Sequence, residues 1–184
     1  MGFHTFDAEK AEKLEDDSRY RYVSREELVG SLDPSDDDVV ADLGSGTGFY
    51  TDDVAPHVEQ LYAVDVQEPM HDQYRKKGVP ENVSLVTANV AELPFDDGEL
   101  DGAFSTMTFH EFAGEDALAE VARVLADGGR LVVADWSGKG IGESGPPVDE
   151  RFDVDEASEQ LVDAGFTVEH GYERPETFFL VARR

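Results

Sequence analysis

The chain has 184 residues, enough for one domain with a single sizeable core. It carries 42 acidic and 15 basic residues, a net charge of −27, and no cysteine. The lack of cysteine excludes disulfides, thiolate metal sites and cysteine nucleophiles, and no apolar run approaches the roughly 20 residues of a membrane span.

The acidic residues are spread along the whole chain, as in the run Asp36, Asp37, Asp38 and the pair Asp96, Asp97. A dispersed excess of this kind is typical of a surface adapted to high salt. Because such a surface repels phosphate groups, we expect no nucleic-acid partner. The polar, acidic start is unlike a secretory signal peptide, so the sequence predicts a cytoplasmic protein without a membrane partner, present as a monomer or homodimer.

Short apolar segments alternate with amphipathic ones, which predicts a parallel sheet covered by helices on both faces. Residues 1–35 are expected to form a helical segment with helices at 8–14 and 24–32, the second capped by Ser24. This segment is interpreted as a packing element or a partial lid over a substrate. Strands are predicted at 38–43, 61–65, 83–87, 100–105 and 130–135, and helices at 49–57, 69–77 and 115–126. The run Asp127-Gly128-Gly129 is expected to stop the last helix.

The C-terminal part predicts a reversed strand. After a loop rich in glycine and proline at 137–150, a helix is expected at 154–164 and two strands at 167–172 and 177–182. Strands this close in sequence pair antiparallel. We therefore predict one domain over residues 1–184, with the sheet core at 36–184.

A glycine-rich turn follows the first predicted strand, in the sequence VVADLGSGTGFYT at residues 39–51. Glycine lets the backbone bend sharply and approach a ligand closely, and helix N-terminal amides favour an anionic group. Asp65 ends the second strand, 21 residues after Gly44. A carboxylate there can accept hydrogen bonds from both hydroxyls of a ribose.

These segments resemble class I S-adenosylmethionine-dependent methyltransferases. The D-x-G-x-G-x-G run resembles motif I, AVDVQEPM at 63–70 the acidic loop, ANVAELPF at 88–95 the adenine-pocket segment, and EVARVLADGGRLVVAD at 120–135 the helix–GG–strand segment. Asn89 stands where the family usually has aspartate, so its contact with adenine would lack charge assistance. The pattern is closest to the group that includes quinone-biosynthesis methyltransferases.

The resemblance implies a doubly wound α/β, Rossmann-like sheet of order 3-2-1-4-5-7-6 with the last strand antiparallel. It implies S-adenosyl-L-methionine as cofactor, S-adenosyl-L-homocysteine as product and a small-molecule methyl acceptor. The cofactor-binding residues that it implies are Asp42, Gly44, Ser45, Gly46, Gly48, Asp65, Val66, Asn89, Val90 and Ser105.

The acceptor is expected beyond the fourth strand, where His110 is the leading candidate for a general base and Glu111 the second. His4, Phe6, Tyr20 and Tyr22 are interpreted as residues that close over the pocket or anchor a helix, and Trp136 and Arg151 as weaker wall candidates. His57, His71 and His170 are expected to be surface groups, and no metal site is predicted.

Two other hypotheses about the function that the glycine loop supports remain open at this point. One is a module that binds the donor without turnover, because the loop and Asp65 predict binding in either case. The other is a nicotinamide-dependent reductase, but its G-x-G-x-x-G/A fingerprint would need a small residue at Phe49 or Thr51. A methyltransferase is therefore the leading hypothesis.

Overall fold

The computed structural model describes residues 8–184 and places seven strands of that part of the chain in one sheet. The strands are β1 Val39–Leu43, β2 Gln60–Asp65, β3 Val83–Thr87, β4 Leu100–Thr106, β5 Leu125–Trp136, β6 Thr167–Glu173 and β7 Thr177–Arg183. Their order is β3-β2-β1-β4-β5-β7-β6, and β7 runs antiparallel to both β5 and β6. The predicted sheet is confirmed.

Six α-helices connect the strands of the described residues: α1 Arg25–Leu32, α2 Thr51–Val54, α3 Glu68–Lys77, α4 Phe109–Phe112, α5 Glu115–Val124 and α6 Val154–Asp163. The described residues also form 3₁₀ segments at Ala8–Glu15, Asp17–Arg21, Ala55–His57 and Val148–Glu150. The helix predicted at 49–57 is therefore too long. Its first residues belong to the glycine turn, and the stretch containing Pro56, which has no amide N–H to donate, is a 3₁₀ turn.

The two faces of the sheet bury separate apolar cores. One contains Leu118 of α5 and Leu161 of α6, and the other contains Leu28 of α1 and Tyr74 of α3. Successive strand residues point to opposite faces, so Phe178 and Phe179 of β7 enter different cores. Each such side chain contributes about 1.5–3 kcal/mol when fully buried. This covering leaves the carboxyl ends of the parallel strands open at one edge.

Strand β5 begins earlier than the sequence predicts. Helix α5 ends at Val124, and Leu125 already pairs with Leu100 of β4, so the glycine pair Gly128-Gly129 lies inside β5. The β4–β5 pairing shifts register between Leu100 and Gly102. This local irregularity accommodates the additional β5 residues between Leu125 and Arg130. The prediction of a helix to residue 126 followed by a loop is wrong.

The N-terminal segment is tied to the rest of the domain by side chains. Ser24 caps α1 as predicted, because its hydroxyl accepts a hydrogen bond from the Glu27 amide at 3.2 Å. The Glu27 carboxylate turns away from this cap and accepts hydrogen bonds from Tyr172 and Arg174. Helix α1 is thereby joined to the β6–β7 hairpin at the far end of the sequence.

Candidate active site

The glycine turn lies between β1 and α2 and is held by the neighbouring strand. The amides of Gly44 and Ser45 both donate to the Val64 carbonyl of β2, each at 2.9 Å. Gly44 and Gly48 have φ of +85° and +82°, and a Cβ on them would lie 2.3 Å from Thr108 Cγ2 and 2.2 Å from the Tyr74 ring. These two glycines are therefore required by protein packing as well as by backbone conformation.

A cavity of about 1180 Å³ opens above the carboxyl ends of β1, β2, β4 and β5. Gly44, Ser45 and Gly46 form part of its floor. The residues predicted to hold the cofactor that also line the cavity are Gly44, Ser45, Gly46, Asp65, Val66, Asn89 and Val90. One continuous space thus joins the glycine turn to the acidic loop and the segment after β3.

Asp65 is fixed at the end of β2 by two backbone hydrogen bonds. Its Oδ2 accepts from the Gly46 amide and its Oδ1 from the Gln67 amide, both at 2.8 Å. Burial raises the pKa of Asp65, and the two amide hydrogen bonds oppose that effect. Each carboxylate oxygen keeps a second lone pair, so Asp65 can still accept hydrogen bonds from a ligand.

Beside Asp65 the wall is partly apolar. The Val66 side chain is 54% exposed although it is a large hydrophobe, and it faces the cavity. Asn89 also lines the cavity, but its amide oxygen already accepts from the Ala91 amide at 2.9 Å. An apolar surface flanked by polar groups suits a planar heterocycle.

Three of the predicted cofactor residues do not line the cavity: Asp42, Gly48 and Ser105. Ser105 is fully buried and its hydroxyl donates to the Leu43 carbonyl at 2.9 Å, so it joins β4 to β1 instead of reaching a ligand. Asp42 lies behind the turn, where its Oδ2 accepts from the Thr51 hydroxyl at 2.6 Å. Burial raises the pKa of Asp42 to about 7.

His110 and Asp135 form a hydrogen-bonded pair on the other side of the cavity. Asp135, at the end of β5, is fully buried, and its Oδ2 lies 2.9 Å from His110 Nδ1 and accepts from the His110 amide at 2.6 Å. Burial lowers the pKa of His110, but the charge and hydrogen bond of Asp135 and the charge of Glu111 outweigh it, so the net pKa is raised. His110 and Glu111 both line the cavity, with His110 Nε2 4.0 Å from Glu111 Oε1.

The wall candidates divide into residues that line the cavity and residues that do not. Tyr22 and Trp136 line it, with ring centroids 4.8 Å apart. Tyr20 instead donates to Asp53 at 2.8 Å, and Arg151 is buried, holding the carbonyls of the loop that contains Pro146. His4 and Phe6 lie outside the described residues.

The interpretation of His71 as a surface group is wrong. His71 is fully buried, because it follows Met70 on the face of α3 that covers β2 and β3. Its Nδ1 lies 3.0 Å from the Thr87 hydroxyl. His57 and His170 are exposed, as expected. No group of three or more histidine, aspartate or glutamate side chains that could hold a metal ion occurs in residues 8–184.

Sequence reasoning missed two residues of this site. In the sequence analysis Asp135 is predicted only as the end of a strand, although an acidic residue after the apolar run LVVA is itself a signal of a strand-end site. Arg19 lies in the 3₁₀ turn Asp17–Arg21 and lines the cavity. No local pattern marks it, because its place over the cavity depends on how the N-terminal segment packs.

Comparison with known proteins identifies the family. Residues 41–133, half of the chain, match the model of a methyltransferase domain. An uncharacterised methyltransferase of Mycobacterium tuberculosis is 33% identical over 129 residues, covering 64% of this chain and 52% of that protein. A demethylmenaquinone methyltransferase of Corynebacterium kroppenstedtii is 33% identical over 122 residues, covering 66% of this chain and 50% of that protein. The chain thus spans about half the length of these relatives.

A solved structure agrees over nearly the whole chain. The S-adenosylmethionine-dependent methyltransferase of Aquifex aeolicus superposes with a TM-score of 0.87 at 29% identity, covering 97% of this chain and 99% of that one. No helix in the described part of the chain is long and apolar enough to cross a bilayer.

The residues present fit the donor of this family. Two buried polar atoms beside the glycine turn, Asp42 Oδ1 and Ser45 Oγ, have no hydrogen-bond partner among the described residues, which suits a site that receives a polar ligand. Asp65 offers free lone pairs to a ribose, and the exposed Val66 offers an apolar surface to an adenine. By family and fold, the chain belongs to the methyltransferase domain family and has the fold of class I S-adenosylmethionine-dependent methyltransferases.

Proposed function

We propose that the protein transfers the methyl group of S-adenosylmethionine to a small-molecule acceptor that binds in the same cavity. The observation that carries this proposal is the cavity volume of about 1180 Å³, which extends from Gly46 to His110. Pockets for a single drug-sized ligand occupy roughly 300–1,000 Å³. The space therefore suffices for the donor and a second small molecule.

The bound donor supplies a methyl group already activated on a sulfonium, so the chain's own residues mainly align the reactants and exclude water. Asp65 and the backbone of Gly44 to Gly46 would hold the nucleoside end. The aromatic wall of Tyr22 and Trp136 would orient the acceptor on the opposite side, near His110.

In this proposal His110 removes a proton from the acceptor. Asp135 accepts from Nδ1 and so fixes the imidazole in the tautomer whose Nε2 is free to act as a base. Because Asp135 raises the His110 pKa, the basicity of Nε2 is also raised. This arrangement suits an acceptor that reacts through a hydroxyl or amine that is protonated at neutral pH. Glu111, whose carboxylate lies 4.0 Å from Nε2, is the second candidate.

The N-terminal segment serves in this proposal as a partial lid. Its residues Leu14, Arg19 and Tyr22 line the cavity from above. Glu15 anchors it by accepting from the Thr47 hydroxyl of the glycine turn and by pairing with Lys77 at 3.2 Å. Closure of this kind would shield the reacting groups from water.

The test is the release of S-adenosylhomocysteine with a panel of acceptors in molar KCl. The panel begins with reduced naphthoquinones, because one relative is a demethylmenaquinone methyltransferase, and continues with phenols and amines. With the productive acceptor, His110→Asn should lower kcat by about 10²–10⁴-fold, the usual contribution of a general base. His170→Asn, which changes an exposed histidine on β6, is the matched control and should keep the wild-type rate.

Other outcomes would favour the competing functions. Binding of S-adenosylhomocysteine without product from any acceptor would favour a donor-binding module. Thermal stabilisation by NADH and not by S-adenosylhomocysteine would favour a reductase. Full activity of His110→Asn together with loss of activity in Glu111→Gln would transfer the role of base to Glu111.

A further inference from the structure

Arg19 occupies the roof of the cavity, close to the glycine turn. Its guanidinium carbon lies 5.0 Å from the ring centroids of both Phe49 and Tyr50, the residues that follow Gly48. Its Nη1 donates to the Leu14 carbonyl at 2.7 Å. The side chain is thus held in place by aromatic and backbone contacts, and it lines the same space as Gly44 and Ser45.

The charge of Arg19 has no counter-ion among the side chains that the structure describes. None of those carboxylates lies within ion-pair distance of its guanidinium, whereas Arg25 and Arg174 each pair with one carboxylate and Arg123 pairs with two. Burial lowers the pKa of Arg19, and the charges of Tyr50, Asp42, Glu15 and Tyr20 only partly offset that effect. A desolvated cation is costly unless an anion pairs with it, so the site is built for an anionic group.

The neighbouring basic residues are less suited to this role. Arg21 also lines the cavity, but it is exposed to solvent. Its guanidinium carbon lies 4.6 Å from the Tyr22 ring centroid, and the guanidinium donates to the Tyr22 hydroxyl. Lys13 is exposed to solvent. Of these three cations, Arg19 alone is half-buried beside the turn.

Buried polar groups lie on the other side of the same turn. Among the described residues, none hydrogen-bonds to Asp42 Oδ1 or Ser45 Oγ, and Ser45 lines the cavity. The charges of Asp42 and Arg19 interact, since Arg19 lowers the Asp42 pKa against the larger effect of burial. Arg19 and the Ser45 hydroxyl both line the cavity, and that hydroxyl oxygen can accept from an ammonium. The pair matches a free α-amino acid group, which carries both a carboxylate and an ammonium.

We propose that Arg19 binds the carboxylate of the amino-acid portion of the donor. The planar guanidinium offers paired N–H donors to a carboxylate, and Nη2 and Nε are not used by the contact with Leu14. Arg19 thereby couples donor binding to the position of the N-terminal segment, because the same side chain holds Leu14 over the turn.

A purely structural Arg19 would only anchor the segment to Phe49 and Tyr50, and the test must separate the two roles. Three ligands make this separation: S-adenosylhomocysteine, its decarboxylated analogue, and 5′-methylthioadenosine, which lacks the whole amino-acid portion. Their dissociation constants are measured by calorimetry, without an acceptor, at a salt concentration where each variant gives the wild-type circular dichroism spectrum.

Arg19→Gln should lower the affinity for S-adenosylhomocysteine about ten- to a hundredfold, because a hydrogen-bonded charge pair is lost. The affinities for the decarboxylated analogue and methylthioadenosine should stay within about twofold, because neither ligand carries a carboxylate. Arg19→Lys should restore part of the lost affinity. Arg75→Gln, which removes one exposed positive charge on α3, is the control for net charge and should leave all three constants unchanged.

Equal weakening of all three ligands by Arg19→Gln would assign Arg19 a structural role and overturn the proposal. Unchanged affinities would overturn it too, as would selective loss in Arg21→Gln instead. If Arg19→Gln does not fold, Arg19→Lys carries the test. A wild-type affinity for S-adenosylhomocysteine no greater than for its decarboxylated analogue would likewise refute a carboxylate site.

Discussion

Asp42 is a buried carboxyl group behind the glycine turn, and its replacement by asparagine should change how the stability of the protein depends on pH. Asp42 is 1% exposed and accepts one hydrogen bond from Thr51, and its second oxygen has no partner within the part of the chain that the structure describes. Burial raises its pKa from 3.8 to about 7, the Thr51 hydrogen bond and Arg19 lower it, and Asp65 raises it again.

The sign follows from the two protonation states. Between about pH 4 and 7 the native carboxyl keeps a proton that the unfolded chain releases, so the free energy of unfolding falls as the pH rises through this window. Above the native pKa the full cost is about 4 kcal/mol. Asparagine does not titrate, and it can still accept from Thr51. The NH₂ group of asparagine then stands where the second carboxylate oxygen stood. Leaving this buried donor without a partner should lower the free energy of unfolding by about 1–3 kcal/mol at every pH.

The difference in unfolding free energy, Asp42→Asn minus wild type, should therefore rise by about 2–3 kcal/mol from pH 5 to pH 8. Urea unfolding followed by circular dichroism at four pH values and one KCl concentration measures it. The other carboxylates are the same in the variant and the wild type, so their contributions cancel in the difference between the two unfolding free energies. A difference that is flat over this range, or that falls, would refute a buried carboxyl with a raised pKa.

Three further outcomes are expected. Gly48→Ala should lower the free energy of unfolding by about 1–3 kcal/mol, because φ is +82° and the added Cβ would lie 2.2 Å from Tyr74. Gly30→Ala is the control and should not lower it, because a Cβ there meets nothing within 4 Å. Equal melting temperatures of the two variants would contradict the collision. Asp135→Asn should lower kcat and move the acid limb of the pH–rate profile to lower pH, since burial then dominates the His110 pKa; an unmoved limb would separate Asp135 from catalysis. With a net charge of −27, the thermal midpoint should rise from dilute buffer to molar KCl, and a falling midpoint would contradict a surface adapted to salt.

The glycine turn and the acidic residue at the end of β2 could be predicted because their signals are local. The turn needs glycine at Gly44 and Gly48 for its own backbone, and Asp65 follows directly from the end of an apolar run. What could not be predicted was the reason for the glycines. Thr108 and Tyr74, far along the chain, fill the space where a Cβ would stand.

The predictions that failed concern residues whose role depends on the direction of a side chain or on the pairing of two strands. Ser105 follows Phe104 in β4, but whether its side chain meets the cavity or a neighbouring strand depends on register, and it meets β1. The start of β5 at Leu125 depends on pairing with Leu100. His71 looks polar in sequence, yet α3 turns it toward the sheet, where it is fully buried.

The sequence by itself determined the order of strands, the reversed last strand and the edge of the sheet that carries the site. The strands, the reversal of the last one and the edge that carries the site follow from hydrophobic periodicity and short connections, which act over a few residues. The order of the strands follows from the resemblance to the methyltransferase family. Only the tertiary structure decided that Asp135 orients His110 and that Arg19 lies over the turn with its charge unpaired among the described residues. Such contacts join residues 25 or more positions apart, and they form only when separate elements pack against one another.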